Sequence, residues 1–167
     1  MKKTAKIVQY RVKLIAERRV SYATHGHPFA SDHCRHSAEA AAIMHALLDD
    51  SDRERVAVLY LDSQSAPMGC EIVAVGGLSS CTVDVREIFK GAIVAGASAI
   101  VLGHNHLGGN PEPSDEDRDL TRAVRAAAKV IGIPLVDHLI VCRYLSKTGL
   151  EPMHFYSFAD SGRLDLE

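Results

Sequence analysis

A histidine pair followed at a distance by an aspartate has the composition of a hydrolytic zinc site. His104 and His106 end an apolar run and are separated by one residue, so in an extended strand both side chains project from the same face. Asp117 follows eleven residues after the second histidine, where a helix is predicted to begin. Two imidazoles and one carboxylate leave the fourth position of a tetrahedral zinc open, as in catalytic rather than structural zinc sites.

Asp117 has a second interpretation, as a helix cap. Ser114 and Asp117 have the spacing of an N-cap and its third helical residue, and Asp115 and Glu116 add negative charge to the first turn. Such charges interact favourably with the helix dipole. The spacing alone therefore leaves both roles open, because short metal-binding motifs also occur by chance.

Another histidine pair, His25 and His27, repeats the spacing of the first. It lies in a Gly/Pro-rich stretch with no carboxylate at a matching distance. A solvated loop is therefore favoured over a second metal site.

Composition sets limits on the function. The chain has 167 residues and a net charge of −2, so one globular domain is expected and no overall basic excess supports nucleic-acid binding. No apolar stretch reaches the length of a membrane span, and no signal-peptide core follows the N-terminal lysines. A cytoplasmic protein is predicted, in which the scattered cysteines are reduced and mostly pack as small core residues. These are Cys34, Cys70, Cys81 and Cys142.

Hydrophobic periodicity predicts alternating strands and helices. The predicted elements are strand 8–16, helix 37–48, strand 54–61, strand 70–75, helix 85–97, strand 99–103, helix 114–131, strand 135–142 and a short strand near the C-terminus. The strands on either side of the turn at 62–69 form a hairpin, so at least one strand pair is antiparallel. The predicted fold class is α/β, a mixed sheet packed with helices.

The motifs around the histidines resemble those of one bacterial family. The pattern from His104 to Asp117, with Ser114 between them, resembles the JAMM (MPN-type) metalloprotease motif. The neighbouring strings resemble the RadC family of JAMM-like proteins over about residues 37–146. These strings are Val85-Arg86-Glu87-Ile88-Phe89-Lys90, the Ala-rich stretch 95–102, Pro113-Ser114, Thr121 and Asp137-His138.

The resemblance implies a domain plan. It predicts a single JAB/MPN-like domain, a cytidine-deaminase-like sandwich, over residues 37–146. Residues 1–36 would form a leader strand and loop, as in short stand-alone members without the helix-hairpin-helix module, and residues 147–167 a C-terminal extension. One departure is visible: the family's Pro-Ser after the second histidine is Leu107-Gly108 here, which removes a proline but no ligand.

The resemblance also implies roles for individual residues. His104, His106 and Asp117 correspond to the zinc ligands. Ser114 corresponds to the serine whose hydroxyl helps to hold the oxyanion. The general base is an upstream glutamate, for which Glu54 is favoured because it opens a predicted strand. The alternatives are that Glu54 is only a solvated acid, or that the base is Glu87, which is more simply explained by helix capping and ion pairing.

A further pair of residues could support the ligands. Asp137 or His138 could donate or accept a hydrogen bond behind a ligand imidazole. A buried structural pair, without any contact to the site, is the alternative.

Two functions of different classes follow. The first is a zinc-dependent hydrolase of the JAMM type that cleaves a peptide or isopeptide bond in a protein or peptide substrate. The second is a non-catalytic zinc-binding interaction module in DNA repair or processing, for which the helical series Arg118, Arg122, Arg125 and Lys129 would form a basic stripe rather than a solvated face. A homo-oligomer is possible through pairing of strand 8–16. A zinc nucleobase deaminase is disfavoured, because its HxE and PCxxC signatures are absent.

Overall fold

The computed structural model of the protein describes residues 33–48, 51–76, 83–142 and 154–164. In these ranges three helices and five strands alternate along the chain. They are α1 (Ser37–Leu48), β1 (Arg55–Leu61), β2 (Pro67–Val75), α2 (Val85–Ala95), β3 (Ala99–His106), α3 (Asp115–Ile131), β4 (Leu135–Cys142) and β5 (Phe155–Ser157). The predicted strand 8–16, the His25/His27 pair and Cys81 lie outside the described residues.

The strands form one mixed sheet in the order β2-β1-β3-β4-β5, which confirms the predicted α/β class. β1 pairs antiparallel with both β2 and β3, and β5 pairs antiparallel with β4. β3 and β4 are parallel and are connected through α3. The central position of β3 places its residues between two neighbouring strands.

Alternating residues of the central strands divide the core into two layers, because successive side chains of a strand point to opposite faces. On β1, Ala57, Leu59 and Leu61 pack with α1. Val56, Val58 and Tyr60 pack on the opposite face, together with residues of α2 and α3. The fold is therefore a sheet between α1 on one side and α2 with α3 on the other. No helix of the described part of the chain is long and apolar enough to cross a membrane.

Two strands are longer than predicted, and the difference bears on the site. β3 continues to His106 instead of ending at Gly103, because its last residues pair in register with β4 as far as Cys142. Both histidines are thus part of the sheet. β2 begins at Pro67 rather than Cys70, since a tight turn reverses the chain: the Asp62 carboxylate accepts hydrogen bonds from the backbone N–H groups of residues 64 and 66, at 2.8 and 2.9 Å.

α1 approaches the sheet closely at one glycine of β3. A Cβ atom added to Gly103 would lie 2.6 Å from Met44 Sδ, and both residues belong to the buried part of the molecule. The glycine immediately before the first histidine therefore lets α1 pack directly on the strand that bears the site.

Candidate metal centre

The three predicted ligands converge at the junction of β3 and α3. His104 Nε2 lies 2.9 Å from His106 Nε2 and 3.1 Å from Asp117 Oδ1, and His106 Nε2 lies 3.4 Å from Asp117 Oδ2. Ligand atoms of the three residues all lie within 4.8 Å of one another, a grouping that could hold a metal ion. His104 and His106 share a strand face because they are two positions apart, as the sequence predicts.

The donor set fits a cation. His106 Nδ1 lies 2.8 Å from the carbonyl oxygen of Asn110, which can only accept a hydrogen bond. Nδ1 therefore bears a proton, so Nε2, which faces His104 and Asp117, is the nitrogen that can bind a cation. Imidazole nitrogens and a carboxylate at such short separations are the ligands that Zn²⁺ prefers.

Asp117 serves as cap and as candidate ligand at once, so the two interpretations do not exclude each other. Its Oδ2 accepts hydrogen bonds from the Ser114 backbone N–H at 2.8 Å and from the Ser114 hydroxyl at 2.6 Å, closing a capping box at the start of α3. Burial acts to raise the pKa of Asp117, but the hydrogen bonds to His104, His106 and Ser114 outweigh it and hold the pKa well below 3.8. The carboxylate is therefore charged at neutral pH.

His138, rather than Asp137, stands behind a ligand. His138 Nε2 lies 3.0 Å from His104 Nδ1, and its Nδ1 lies 2.7 Å from the Thr121 hydroxyl. Complete burial, with a further contribution from His104, lowers the pKa of His138 well below 6.5, so the ring is neutral. Asp137 instead accepts hydrogen bonds from the Ser157 hydroxyl at 2.6 Å and the Ala159 N–H at 3.0 Å, which fasten the C-terminal segment to β4.

Asn105, between the two histidines, holds the segment that contains Glu54. Its side-chain oxygen accepts from the Arg55 N–H at 2.7 Å, and its amide nitrogen donates to the Arg53 carbonyl at 3.1 Å. The backbone is thus pinned on both sides of Glu54. Asn105 is itself buried, on the face of β3 opposite to the histidines.

A cleft of about 810 Å³ opens over the candidate ligands. Glu54 and Ser114 line it together with all three ligands, whereas Glu87 is not among its lining residues. Glu87 lies on the exposed surface of α2 and forms an ion pair with Lys90. The geometry therefore favours Glu54 over Glu87 as the glutamate near the site, and Glu54 also contributes to raising the pKa of His106.

The predicted basic series on α3 is partly neutralised. Arg118 pairs with Asp115 at 2.7 Å, and Arg122 pairs with Asp119. Each of these pairs joins neighbours on one exposed face of the helix, as expected for a solvated surface.

Comparison with known proteins identifies the family to which this domain belongs. The sequence model of the RadC-like JAB domain matches residues 34–162, more than three quarters of the chain. The chain belongs to the RadC-like JAB domain family. The membership agrees with the expected fold class and domain type.

Several RadC-family relatives share this domain. A UPF0758 protein of Chlorobium phaeovibrioides is 38% identical over 121 residues, which cover 72% of this chain and 50% of that protein. A UPF0758 protein of Salinibacter ruber is 42% identical over 104 residues, or 62% of this chain and 45% of that protein. The chain thus spans about half the length of the curated relatives it matches.

Three supporting groups of this RadC-like site received no role from the sequence. Thr121 enters the sequence-based prediction only through the family resemblance, and neither Asn105 nor the Asn110 carbonyl enters it. The alternation of β3 places Asn105 on the face opposite to the histidines, and this is the one local signal that could have singled it out.

Proposed function

We propose that this RadC-like domain is a zinc-dependent hydrolase that cleaves a peptide or isopeptide bond in a protein or peptide substrate. The observation that supports it is the convergence of two imidazoles and a carboxylate beneath a cleft that a glutamate also lines. This combination of an open metal site and an adjacent base suits hydrolysis better than a purely structural metal.

His104 Nε2, His106 Nε2 and one oxygen of Asp117 would hold the ion. When bound, zinc supplies Lewis-acid chemistry, polarising a carbonyl and lowering the pKa of water. Glu54 would take the proton of the attacking water at its carboxylate and later deliver it to the leaving amine. The hydrogen bonds of Asn105 to the backbone of residues 53 and 55 would fix the position of Glu54 relative to the ligands.

Ser114 would donate its hydroxyl proton to the developing oxyanion. In the present arrangement that hydroxyl donates to Asp117 Oδ2 at 2.6 Å, while its oxygen accepts from the Asp117 N–H at 3.1 Å. If Asp117 coordinated a metal ion, its carboxylate would accept a weaker hydrogen bond from the Ser114 hydroxyl. The hydroxyl can then rotate toward the substrate without losing its place at the N-cap.

The charge of the cleft favours a polypeptide over a nucleic acid. Besides Asp117, four carboxylate residues line it, and its described lining contains no lysine or arginine. They are Glu54, Glu112, Glu116 and Asp119. Phosphate groups would be repelled there, since nucleic-acid binding depends on basic side chains. Val56, Val85 and Leu120 add an apolar wall suited to a side chain of a peptide.

The deciding experiment compares Glu54→Gln with wild type in zinc content and in hydrolysis. The probes are a quenched fluorescent peptide library and a Gly-Gly isopeptide attached to a lysine Nε. We expect one zinc per chain in both proteins and about a 10²- to 10⁴-fold lower rate in Glu54→Gln, as for loss of a general base. Glu112→Gln, which changes the same charge in the same cleft, should retain most of the activity.

Two outcomes would overturn the proposal. Equal rates in Glu54→Gln and wild type would show that Glu54 is not the base. One zinc per chain with no hydrolysis of either probe would instead favour a non-catalytic zinc-binding module, the second function considered for this sequence. A gel shift with duplex DNA at graded salt would then test the link to DNA processing.

A further inference from the structure

A chain of hydrogen bonds behind the site connects two of the candidate ligands, His104 and Asp117. His104 Nδ1 lies 3.0 Å from His138 Nε2, and His138 Nδ1 lies 2.7 Å from Thr121 Oγ1. The same hydroxyl lies 2.7 Å from the backbone carbonyl oxygen of Asp117. The side chain of Asp117 in turn faces His104 Nε2 at 3.1 Å, on the opposite edge of the ring from Nδ1.

The Asp117 carbonyl oxygen, at the end of this chain, determines where each proton lies. A carbonyl oxygen only accepts, so the single hydroxyl proton of Thr121 is donated to Asp117. The Thr121 oxygen must then accept from His138, which places a proton on Nδ1 of that ring. The other nitrogen of His138 is left with its lone pair, and it accepts the proton of His104 Nδ1. With Nδ1 protonated in this way, the neutral ring of His104 carries its lone pair on Nε2, the nitrogen that faces Asp117.

The opposite direction fails on the same geometry. If His104 Nδ1 accepted from His138, the Thr121 proton would be used on His138 Nδ1. The Thr121 oxygen would then face the Asp117 carbonyl oxygen at 2.7 Å with no proton between them. A doubly protonated His138 is excluded as well, because the residue is fully buried with 0% exposure and an imidazolium there would be strongly disfavoured.

We propose that Thr121 and His138 are positioning residues that hold His104 in the tautomer whose Nε2 binds the metal. His106 reaches the same tautomer by a different route, through the Asn110 carbonyl. The proposal uses the metal site of the proposed function but not hydrolysis. It also explains why Thr121 follows Asp117 by one helical turn. At this spacing the hydroxyl can donate to the Asp117 carbonyl while it accepts from His138 on β4.

Thr121→Val tests the proposal, because it removes the hydroxyl while preserving the shape of the side chain. We measure the zinc dissociation constant by competition with a chromophoric chelator, on protein whose folding is verified by circular dichroism. The constant should rise about 10- to 100-fold, the usual effect of losing such a supporting bond. Thr121→Ser restores the hydroxyl and should stay within about threefold of wild type.

Val124→Ala is the matched control. Val124 is buried on the same helix, and its truncation weakens packing without altering the hydrogen-bond chain. Its zinc affinity should equal that of wild type. The proposal is overturned if Thr121→Val binds zinc as tightly as Thr121→Ser, or if Val124→Ala weakens zinc as much as Thr121→Val does.

A second readout needs no metal at all. In metal-free protein with ¹⁵N-labelled histidine, long-range ¹H–¹⁵N spectra at about pH 8 report which ring nitrogen bears the proton. Wild type should show Nδ1–H for both His104 and His138, and Thr121→Val should show a mixture at His138. A His104 ring that carries Nε2–H without Nδ1–H in wild type would refute the proposal. If wild type took up no zinc, the proposed function would fail, while these spectra would still decide the hydrogen-bond chain.

Discussion

The two faces of β3 differ in what they enclose. Toward α1, the cavity that Asn105 lines with His45 and Leu48 has about 10 Å³, enough for one water molecule. Toward α3, the same strand end opens into the cleft of about 810 Å³ that contains the candidate ligands. One strand therefore serves as packing surface on one side and as site on the other. The comparison suggests that stability and metal binding can be changed independently from neighbouring positions.

The largest expected effect is on the α3 side. Asp117→Asn should weaken zinc binding by at least about 100-fold, because an amide oxygen is a poor substitute for a charged ligand. Metal-free protein should also lose stability, because the side chain, although its amide oxygen can still accept the Ser114 N–H of the cap, no longer carries the charge that interacts with the two histidines. The measurements are zinc affinity and urea denaturation of metal-free protein. Asp115→Asn removes a neighbouring first-turn charge that is 93% exposed and should leave zinc binding unchanged.

On the α1 side a substitution should change the free energy of unfolding but not the zinc affinity. Gly103→Ala places a methyl group against Met44 in a filled core, at a cost of about 1–3 kcal/mol in the free energy of unfolding. Zinc affinity per folded molecule should stay at the wild-type value. Urea denaturation measures the free energy of unfolding, and competition with a chelator measures the zinc affinity. In a Met44→Ala background the same change should be less destabilising, and equal destabilisation in both backgrounds would refute the steric explanation.

Asn105→Ala tests a link between the two faces of β3. The Asn105 side chain lies on the α1 side, but its hydrogen bonds hold the backbone on either side of Glu54, which lines the cleft. The substitution removes two hydrogen bonds to residues 53 and 55, so unfolding should become easier by about 1–3 kcal/mol. One zinc per chain should remain, while hydrolysis of the peptide probe should fall about tenfold as Glu54 loses its anchor. Unchanged hydrolysis in the folded variant would mean that the two hydrogen bonds of Asn105 contribute to stability but do not position Glu54.

The smallest effect concerns pH and should appear on the α3 side only. A hydrogen bond with Asp117 raises the pKa of His106 above its usual 6.5 despite partial burial. Below that pKa the ring carries a proton on Nε2 as well, and this proton must leave before zinc can bind, so zinc affinity should fall severalfold as the pH drops from about 8 to about 6. In metal-free protein the sign is opposite: the interaction stabilises fully below the unfolded pKa and is lost as pH rises through the raised folded value. The cost of Gly103→Ala should not vary over this range.

The local parts of the structure were predictable from the sequence. Serines at the helix starts, turn residues and apolar periodicity predicted α1, α3, β1 and β4 to within a few residues. The spacing of the histidines and Asp117 predicted the three candidate ligands. The supporting contacts were not predictable, because they join residues distant in sequence. His104 and His138 are 34 positions apart, and Asn105 and Arg55 are 50 positions apart. Such pairs depend on the register between strands, which no single segment specifies.

The spacing of Ser114, Asp117 and Thr121 on α3 has a consequence for how this domain can vary in length. Cap, ligand and hydroxyl lie on one side of the first helical turns, so one inserted residue between them would rotate the later ones by about 100° and separate all three functions. The exposed stretch 107–109 is less constrained: changes of its length leave the phase of the helix unaltered, provided that the Asn110 carbonyl still reaches His106 Nδ1. Insertions and deletions should therefore accumulate at the rim of the cleft and be excluded from the helix start. Viable length variants selected from a random insertion library would show this boundary directly.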